Sequence, residues 1–249
     1  MTKYNIIYNE DCLEGMNKIP DNHIDCVICD LPYGVTKCKW DVTIPLDELW
    51  KCYNRIVKPN GAIILFGQGL FTAKFMLSNT KSWRYNLIWK KGNRVTGFLN
   101  AKKMPLRNHE DIMIFYKEST TYNPQFTIGD APCHTKKKIG KNNCYGNYQN
   151  IEHNYYRNRK FPKSIIDIAR EYPVKFPTQK PVKLYEYLLL TYSNEGDIVL
   201  DNCSGSGTMA IAAINTGRNY ICFEKDEEAF YFSQCRVSEH LKKIEDKVI

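Results

Sequence analysis

Two clusters in this 249-residue chain have residue types at spacings that can handle a nucleotide-like ligand. The first is Asp30, Leu31, Pro32, Tyr33, Gly34, directly after the apolar run Asp25 to Cys29. An acid, a backbone held by proline and an aromatic ring can together grip a planar amine. Asp30 and the Leu31 carbonyl would accept its two hydrogens while Tyr33 stacks on the ring. Taken alone, an ordinary turn has the same composition. The second cluster follows the run Ile198 to Leu200 and reads Asp201, Asn202, Cys203, Ser204, Gly205, Ser206, Gly207, Thr208, with a helical pattern beginning at Thr208. A strand, a glycine turn and a helix N-terminus let a ligand approach bare backbone and its N–H groups. The next run, Tyr220 to Phe223, ends at Glu224, where an acid can take ribose hydroxyls. Read as GxGxxA through Gly205, Gly207 and Ala210, the turn equally fits a dinucleotide. A dehydrogenase carries this fingerprint on its first strand, however, and here most of the sheet must precede it, which implies a permuted strand order.

The cysteines supply no competing chemistry. Ten are scattered at apolar positions without a disulfide framework, as reduced cytosolic thiols would be. Cys26 and Cys29 form a CxxC inside a strand-like run, where residues three apart face opposite sides. Cys133, His134, Cys144 and His153 match no standard zinc spacing. No metal is therefore expected.

The elements that must position these clusters are short β-rich runs alternating with helical periods. The runs are Asn5 to Tyr8, Asp25 to Cys29, Ala62 to Phe66, Asn86 to Trp89, Ile112 to Tyr116, Ile198 to Leu200 and Tyr220 to Phe223. Helices are expected over Leu46 to Val57, Leu70 to Leu77, Val182 to Tyr192, Thr208 to Asn215 and Glu227 to Ile244. This alternation predicts an α/β fold, a mostly parallel seven-stranded sheet with helices on both faces. Ligands of such sheets sit beyond the carboxyl ends of the strands, where both clusters fall.

Charge divides the chain in three. The net charge is −5 over residues 1–50, +16 over 51–163 and −3 over 164–249. A basic middle argues for a polyanionic partner, because releasing counterions from phosphates rewards clustered Lys and Arg. The stretch Lys136 to Lys163 carries Lys136, Lys137, Lys138, Lys141, Arg157, Arg159, Lys160 and Lys163 against the single acid Glu152, interleaved with tyrosines. Cations for phosphates and rings for bases suit a nucleic-acid-reading insertion, expected over residues 119–176 between catalytic segments 1–118 and 177–249. A solvated basic loop is the plain alternative. No run is long and apolar enough to span a membrane and no secretory leader is visible, so the expected location is the cytoplasm.

The order of DLPYG, then PTQKP at Pro177 to Pro181, then DNCSGSGT resembles that of the permuted β-class amino-group DNA methyltransferases, over Asn5 to about Val237. Leu31 stands where that family has its first proline, Cys203 where it has phenylalanine, and Phe176 where histidine often precedes PTQKP. His109 and Glu110 also sit where the family often has such a pair. The resemblance implies a Rossmann-like methyltransferase sheet, circularly permuted, and S-adenosylmethionine as cofactor. It implies Asp30, Leu31, Pro32 and Tyr33 as catalytic residues. Cofactor contacts are implied for Asp11, Cys12, Asp30, Lys180, Asp201, Cys203, Gly205, Ser206, Gly207, Thr208 and Glu224; for Asp11 a solvated turn acid is the competing reading, and for Lys180 an exposed helix-start lysine. The implied partner is double-stranded DNA, and a homodimer and a cognate restriction endonuclease are compatible further partners. Asp at position 30, where the cytosine-N4 branch usually has Ser, favours the N6 amine of adenine. An RNA adenine methyltransferase, a nicotinamide dehydrogenase and a nucleic-acid-binding module without catalysis are the alternatives.

Overall fold

The computed structural model describes residues 3–34, 38, 41–129, 159–172, 174, 176 and 179–248. The chain divides into two compact units, Met1–Asn123 with Ser164–Ile249, and Pro124–Lys163.

The larger unit contains β1 (Ile6–Asn9), α1 (Cys12–Asn17), β2 (Ile24–Cys29), α2 (Leu46–Ile56), β3 (Val57–Gly67), α3 (Leu70–Ser78), β4 (Trp83–Lys90) and β5 (His109–Phe115). In the smaller unit β6 (Thr127–Ile128) pairs antiparallel with β7 (Arg159–Lys160). The larger unit resumes with β8 (Ile165–Asp167), α4 (Val182–Tyr192), β9 (Ile198–Asp201), α5 (Thr208–Asn215), β10 (Asn219–Glu224) and α6 (Glu227–Val248). Its sheet has the order β1-β10-β9-β2-β3-β5-β4-β8. Only the two pairings made by β5 are antiparallel.

The period-2 alternation of buried strands divides the core in two. Cys26 and Ile28 face α4, α5 and α6 with Leu184, Leu188, Met209 and Val237. Val27 and Cys29 face α1, α2 and α3 with Met16, Trp50, Tyr53 and Phe75. The two cysteines of the CxxC thus lie in different cores.

All seven expected strands are present, and β8 makes an eighth, pairing Ile88↔Ile165 and Lys90↔Asp167 at the sheet edge. In its three residues only Ile166 is buried, too short a pattern to show in sequence. Residues 165–167, within the stretch expected to be an insertion, thus belong to the main sheet, and the smaller unit is Pro124–Lys163. There Thr127 is paired with Lys160 and Ile128 with Arg159. The Phe126 and Phe161 rings lie 4.9 Å apart, with the Arg159 guanidinium 5.8 Å from the Phe126 ring. Lys136, Lys137, Lys138, Lys141 and Arg157 lie outside the described residues, as do Cys133, His134, Cys144 and His153.

Helix α1 was not expected from periodicity, being six residues long with a glycine inside. Its start is fixed by Asp11, whose side chain accepts from the Leu13 N–H at 2.9 Å. Gly15 lets the helix lie against β10: a Cβ there would meet the Phe223 ring at 2.2 Å. Gly15→Ala is expected to cost about 1–3 kcal/mol of stability through overpacking, read as a lower urea midpoint. An unchanged midpoint would show that α1 is not pinned against Phe223.

Candidate active site

β2 and β9 are neighbours, in register at Cys26↔Val199 and Val27↔Leu200. From this pair the sheet proceeds through β10 and β1 on one side and through β3 on the other. Their carboxyl ends flank the crevice where open α/β sheets bind ligands. Asp30 follows β2 and Asp201 ends β9, so the fold sets side by side the two clusters that sequence alone places far apart.

Around Asp30, the Tyr33 hydroxyl donates to Oδ1 at 2.9 Å and the Lys180 ammonium pairs with Oδ2. Lys180 also lies 3.3 Å from Oε2 of Glu110 on β5, whose Oε1 pairs with Lys91 at 2.5 Å. The 3.3 Å contact is an ion pair without hydrogen-bond alignment, which leaves Oε2 a buried acceptor lacking a donor. Four charges thus alternate through the site: Asp30, Lys180, Glu110, Lys91. Burial pushes the Asp30 carboxyl up despite Lys180. Burial opposes the charges on Glu110 and Lys180 too, but their opposite partners outweigh it, holding Glu110 below and Lys180 above their ordinary ranges. Burial and then Asp30 raise Tyr33 well above the phenol range, so its hydroxyl stays a donor. Its ring packs on Phe71 at 4.4 Å. Leu31 is buried against the α1–α3 core, so packing steadies the backbone where the resembling family uses a proline ring. The Asp41 side chain accepts from the Gly34 N–H at 2.7 Å and closes the loop.

Lys180 is only 7% exposed, not a solvent-facing helix-start lysine, and it belongs to both clusters. Its ammonium sits over the Phe66 ring at 4.7 Å, while its carbonyl accepts from the Thr208 hydroxyl at 3.4 Å. The glycine turn is tied down from several sides. Gly205 N–H donates to Glu224 Oε2 at 2.7 Å, Cys203 N–H to Asp201 at 3.1 Å, and the Tyr53 hydroxyl to Asn202 at 2.6 Å. Arg236 of α6 donates one Nη to the Ser206 carbonyl at 2.9 Å and to the Thr208 hydroxyl at 2.8 Å. Gly205 has φ +48° and Gly207 φ +72°, and no atom lies within 4 Å of where a Gly205 Cβ would be. That open space, following a buried Ser204 Oγ that has no hydrogen-bond partner, is a cradle of the kind a cofactor's backbone contacts require.

Cys12, Cys29 and Cys203 interact beneath the turn. Bonding to Cys203 and then burial hold the Cys12 thiol far above its ordinary range, and burial puts Cys29 at about 12. These are neutral packing groups and not thiolates. Asp11, besides capping α1, pairs with Lys225 at 3.0 Å. His109 points outward and bonds Asn108, leaving Glu110 as the inward member of that pair. Phe176 stacks on Phe232 at 5.4 Å. Sequence reasoning missed Lys91, Phe66, Phe71 and Arg236; only position at or beyond a strand end singles out the first three, and nothing local singles out Arg236. A separate cleft of about 460 Å³ lies among α4, α5 and α6, lined by residues including Lys183, Glu186, Glu239 and Lys243.

The sheet is Rossmann-like with permuted chain order. Residues 24–234 match the DNA methylase family of N6 and N4 methyltransferases, and the chain belongs to that family. It is 27% identical over 249 residues to the DNA adenine methyltransferase YhdJ of Escherichia coli K12, covering 89% of this chain and 79% of the relative. It is 24% identical over 271 residues to the type II methyltransferase M.HinfI of Haemophilus influenzae, covering 94% and 68%. Two solved structures share the fold. The M1.HpyAVI–SAM complex has TM-score 0.61 and 22% identity, covering 92% of this chain and 98% of that one. The cytosine-N4-specific PvuII DNA methyltransferase has TM-score 0.66 and 16% identity, covering 94% and 86%.

Burial pushes Asp201 up to about 7 from an unfolded value of 3.8. A carboxyl raised by folding contributes stability below its unfolded pKa and loses it as pH rises through the folded one. Relative to Asp201→Asn, the wild type should therefore lose about 2–3 kcal/mol between pH 5 and pH 8 in urea unfolding. Parallel pH profiles for the two proteins would show that Asp201 does not titrate there.

Proposed function

We propose that the protein transfers a methyl group from S-adenosylmethionine to the N6 amine of adenine in double-stranded DNA. The observation that carries this reading is the pairing, across one crevice, of Asp30 at the end of β2 with the open glycine turn after β9. Membership of the DNA methylase family supports the reaction class. Asp at position 30 favours adenine over cytosine, in line with the adenine specificity in the name of the Escherichia coli relative. The type II class in the name of M.HinfI is compatible with a cognate restriction endonuclease as a further partner.

The residues fit the cofactor: Gly205 leaves room for it, Gly207 at φ +72° packs the turn against Ser233, Glu224 can take ribose hydroxyls, and Asp201 offers a buried acceptor on the same side. When bound, the cofactor supplies an electrophilic methyl group on a sulfonium. The exocyclic amine of adenine is a poor nucleophile because its lone pair is delocalised into the ring. Hydrogen bonds from the amine to Asp30 and the Leu31 carbonyl localise that pair and aim it at the methyl carbon. With the cofactor bound, Asp30 Oδ, hydrogen-bonded to the amine, would be positioned to take the proton that the nitrogen gives up on becoming methylated. The raised Asp30 pKa suits that acceptor role. Lys180 balances the Asp30 charge, and Glu110 holds Lys180 from its other side. The base must leave the duplex to reach this crevice, where Tyr33 restores part of the lost stacking.

Asp30→Ala should lower kcat by about 10²-fold or more while S-adenosylhomocysteine still raises the melting temperature. Retained full activity would remove Asp30 from the mechanism. Digestion of DNA methylated with labelled cofactor should release N6-methyladenine. Release of N4-methylcytosine alone would overturn the base assignment, and label found only in RNA would overturn the substrate.

A further inference from the structure

The connection between β4 and β5, residues 91–108, touches the charges around Asp30 only through Lys91. β4 runs parallel to β2 and β3, and β5 returns antiparallel, so this connection emerges at the same sheet edge as Asp30 and Gly205. Its charge is one-sided: Lys91, Arg94, Lys102, Lys103 and Arg107, with no Asp or Glu. Lys91 is buried at the base, where its pairing with Glu110 joins the connection to the charges around Asp30. Arg94 lies 5.3 Å from the Tyr172 ring, while Lys102, Lys103 and Arg107 face solvent.

The tip has a defined shape. Thr96 and Arg107 close its neck with reciprocal backbone hydrogen bonds of 2.8 and 3.0 Å. A short 3₁₀ turn, Phe98–Asn100, follows, with the Asn100 N–H donating to the Gly97 carbonyl at 2.9 Å and the Met104 N–H to the Asn100 carbonyl at 3.0 Å. On this scaffold Phe98 is 67% exposed, Met104 48% exposed, and Leu99 wholly exposed. One exposed leucine is unremarkable, but three large apolar side chains on a hydrogen-bonded tip ringed by cations form a surface built to be covered.

The geometry points to this hairpin as a wedge for duplex DNA: Phe98 and Leu99 enter the base stack beside the extruded base, and Lys102, Lys103 and Arg107 hold the flanking phosphates. Apolar side chains driven between base steps unstack them, and extrusion of a base leaves such a gap beside the catalytic crevice. Charge selects the occupant. A symmetric contact between two copies of this tip would bring like-charged loops together, whereas a phosphate backbone is complementary to them.

This inference rests on the proposed methyl transfer to DNA, and the test separates the two. Binding needs no transfer and is measured by fluorescence anisotropy on a labelled random-sequence duplex. Lys102→Ala with Lys103→Ala should reduce the slope of log Kd against log salt by about 2, and an unchanged slope and affinity would overturn the phosphate contacts. Rates are then measured on duplexes carrying the site that sequencing of the methylated product identifies, with the target base either paired or mismatched. Phe98→Ala with Leu99→Ala should lower kcat/KM about tenfold on the paired duplex and less than about twofold on the mismatched one, whose base is already loose. Equal rates on the paired duplex, or equal losses on both substrates, would overturn the wedge. If the wild type transfers no methyl group, the catalytic reading fails, and the anisotropy series decides the surface: the Phe98/Leu99 variant should bind the duplex about tenfold more weakly, and unchanged binding would refute the inference.

Discussion

The parallel pairing of β2 with β9 is the constraint on which the rest depends. It joins strands from opposite ends of the chain through a register of two residue pairs, supported at its start by the Ile198 N–H donating to Asp25 at 3.0 Å. Because side chains on parallel neighbours keep level, that register places Asp30 beside the Asp201–Thr208 turn. A shift of one residue would turn Val27 and Ile28 to the wrong cores and misplace both clusters. The buried helices on the two faces enforce the register, since α1–α3 and α4–α6 fill separate cores over the same strands.

Electrostatics in the crevice follow from that placement. An unpaired ammonium or carboxylate at this depth would be strongly disfavoured, yet in a chain of alternating charges each member faces an opposite charge. Lys180 holds the central place, touching Asp30 and Glu110 through its ammonium and the glycine turn through its carbonyl. Asp30 therefore keeps its acceptors paired in a partly buried site, where hydrogen bonds are stronger than in bulk water. Tyr33, held a donor by the same burial, orients that carboxylate from the other side. The acidic ends of the chain thus meet in one place, and the cation-bearing connection 91–108 lies at the same end of the sheet.

Long-range order was legible in the sequence to the extent that strands and helices repeat their periods over enough residues. All seven strong runs became strands, and the glycine turn could be placed on a strand end because Gly205 and Gly207 leave a composition mark. α1 and β8 escaped notice because six residues around Gly15 and three around Ile166 are too few to show a period. Leu31 was legible as a carbonyl but not as a buried anchor, since burial at a strand end depends on what α1–α3 bring over it. The alternating charges were hidden for a similar reason: the resemblance marks Glu110 and Lys180 one at a time, Lys91 is unremarkable in sequence, and their pairing emerges only when β4, β5 and the start of α4 converge. Arg236, far along an amphipathic helix, looks like any solvated cation until it reaches Ser206 and Thr208.

The central claim is that one crevice, built from both ends of the chain, holds the methyl donor. Photo-cross-linking with methyl-labelled S-adenosylmethionine, with the adduct located by fragmentation to single residues, tests it most directly. Label is expected within Asp30–Tyr33 or Asp201–Glu224, displaced by S-adenosylhomocysteine. Label confined to the separate cleft on the α4 and α6 surfaces, at residues such as Lys183 or Lys243, would contradict it.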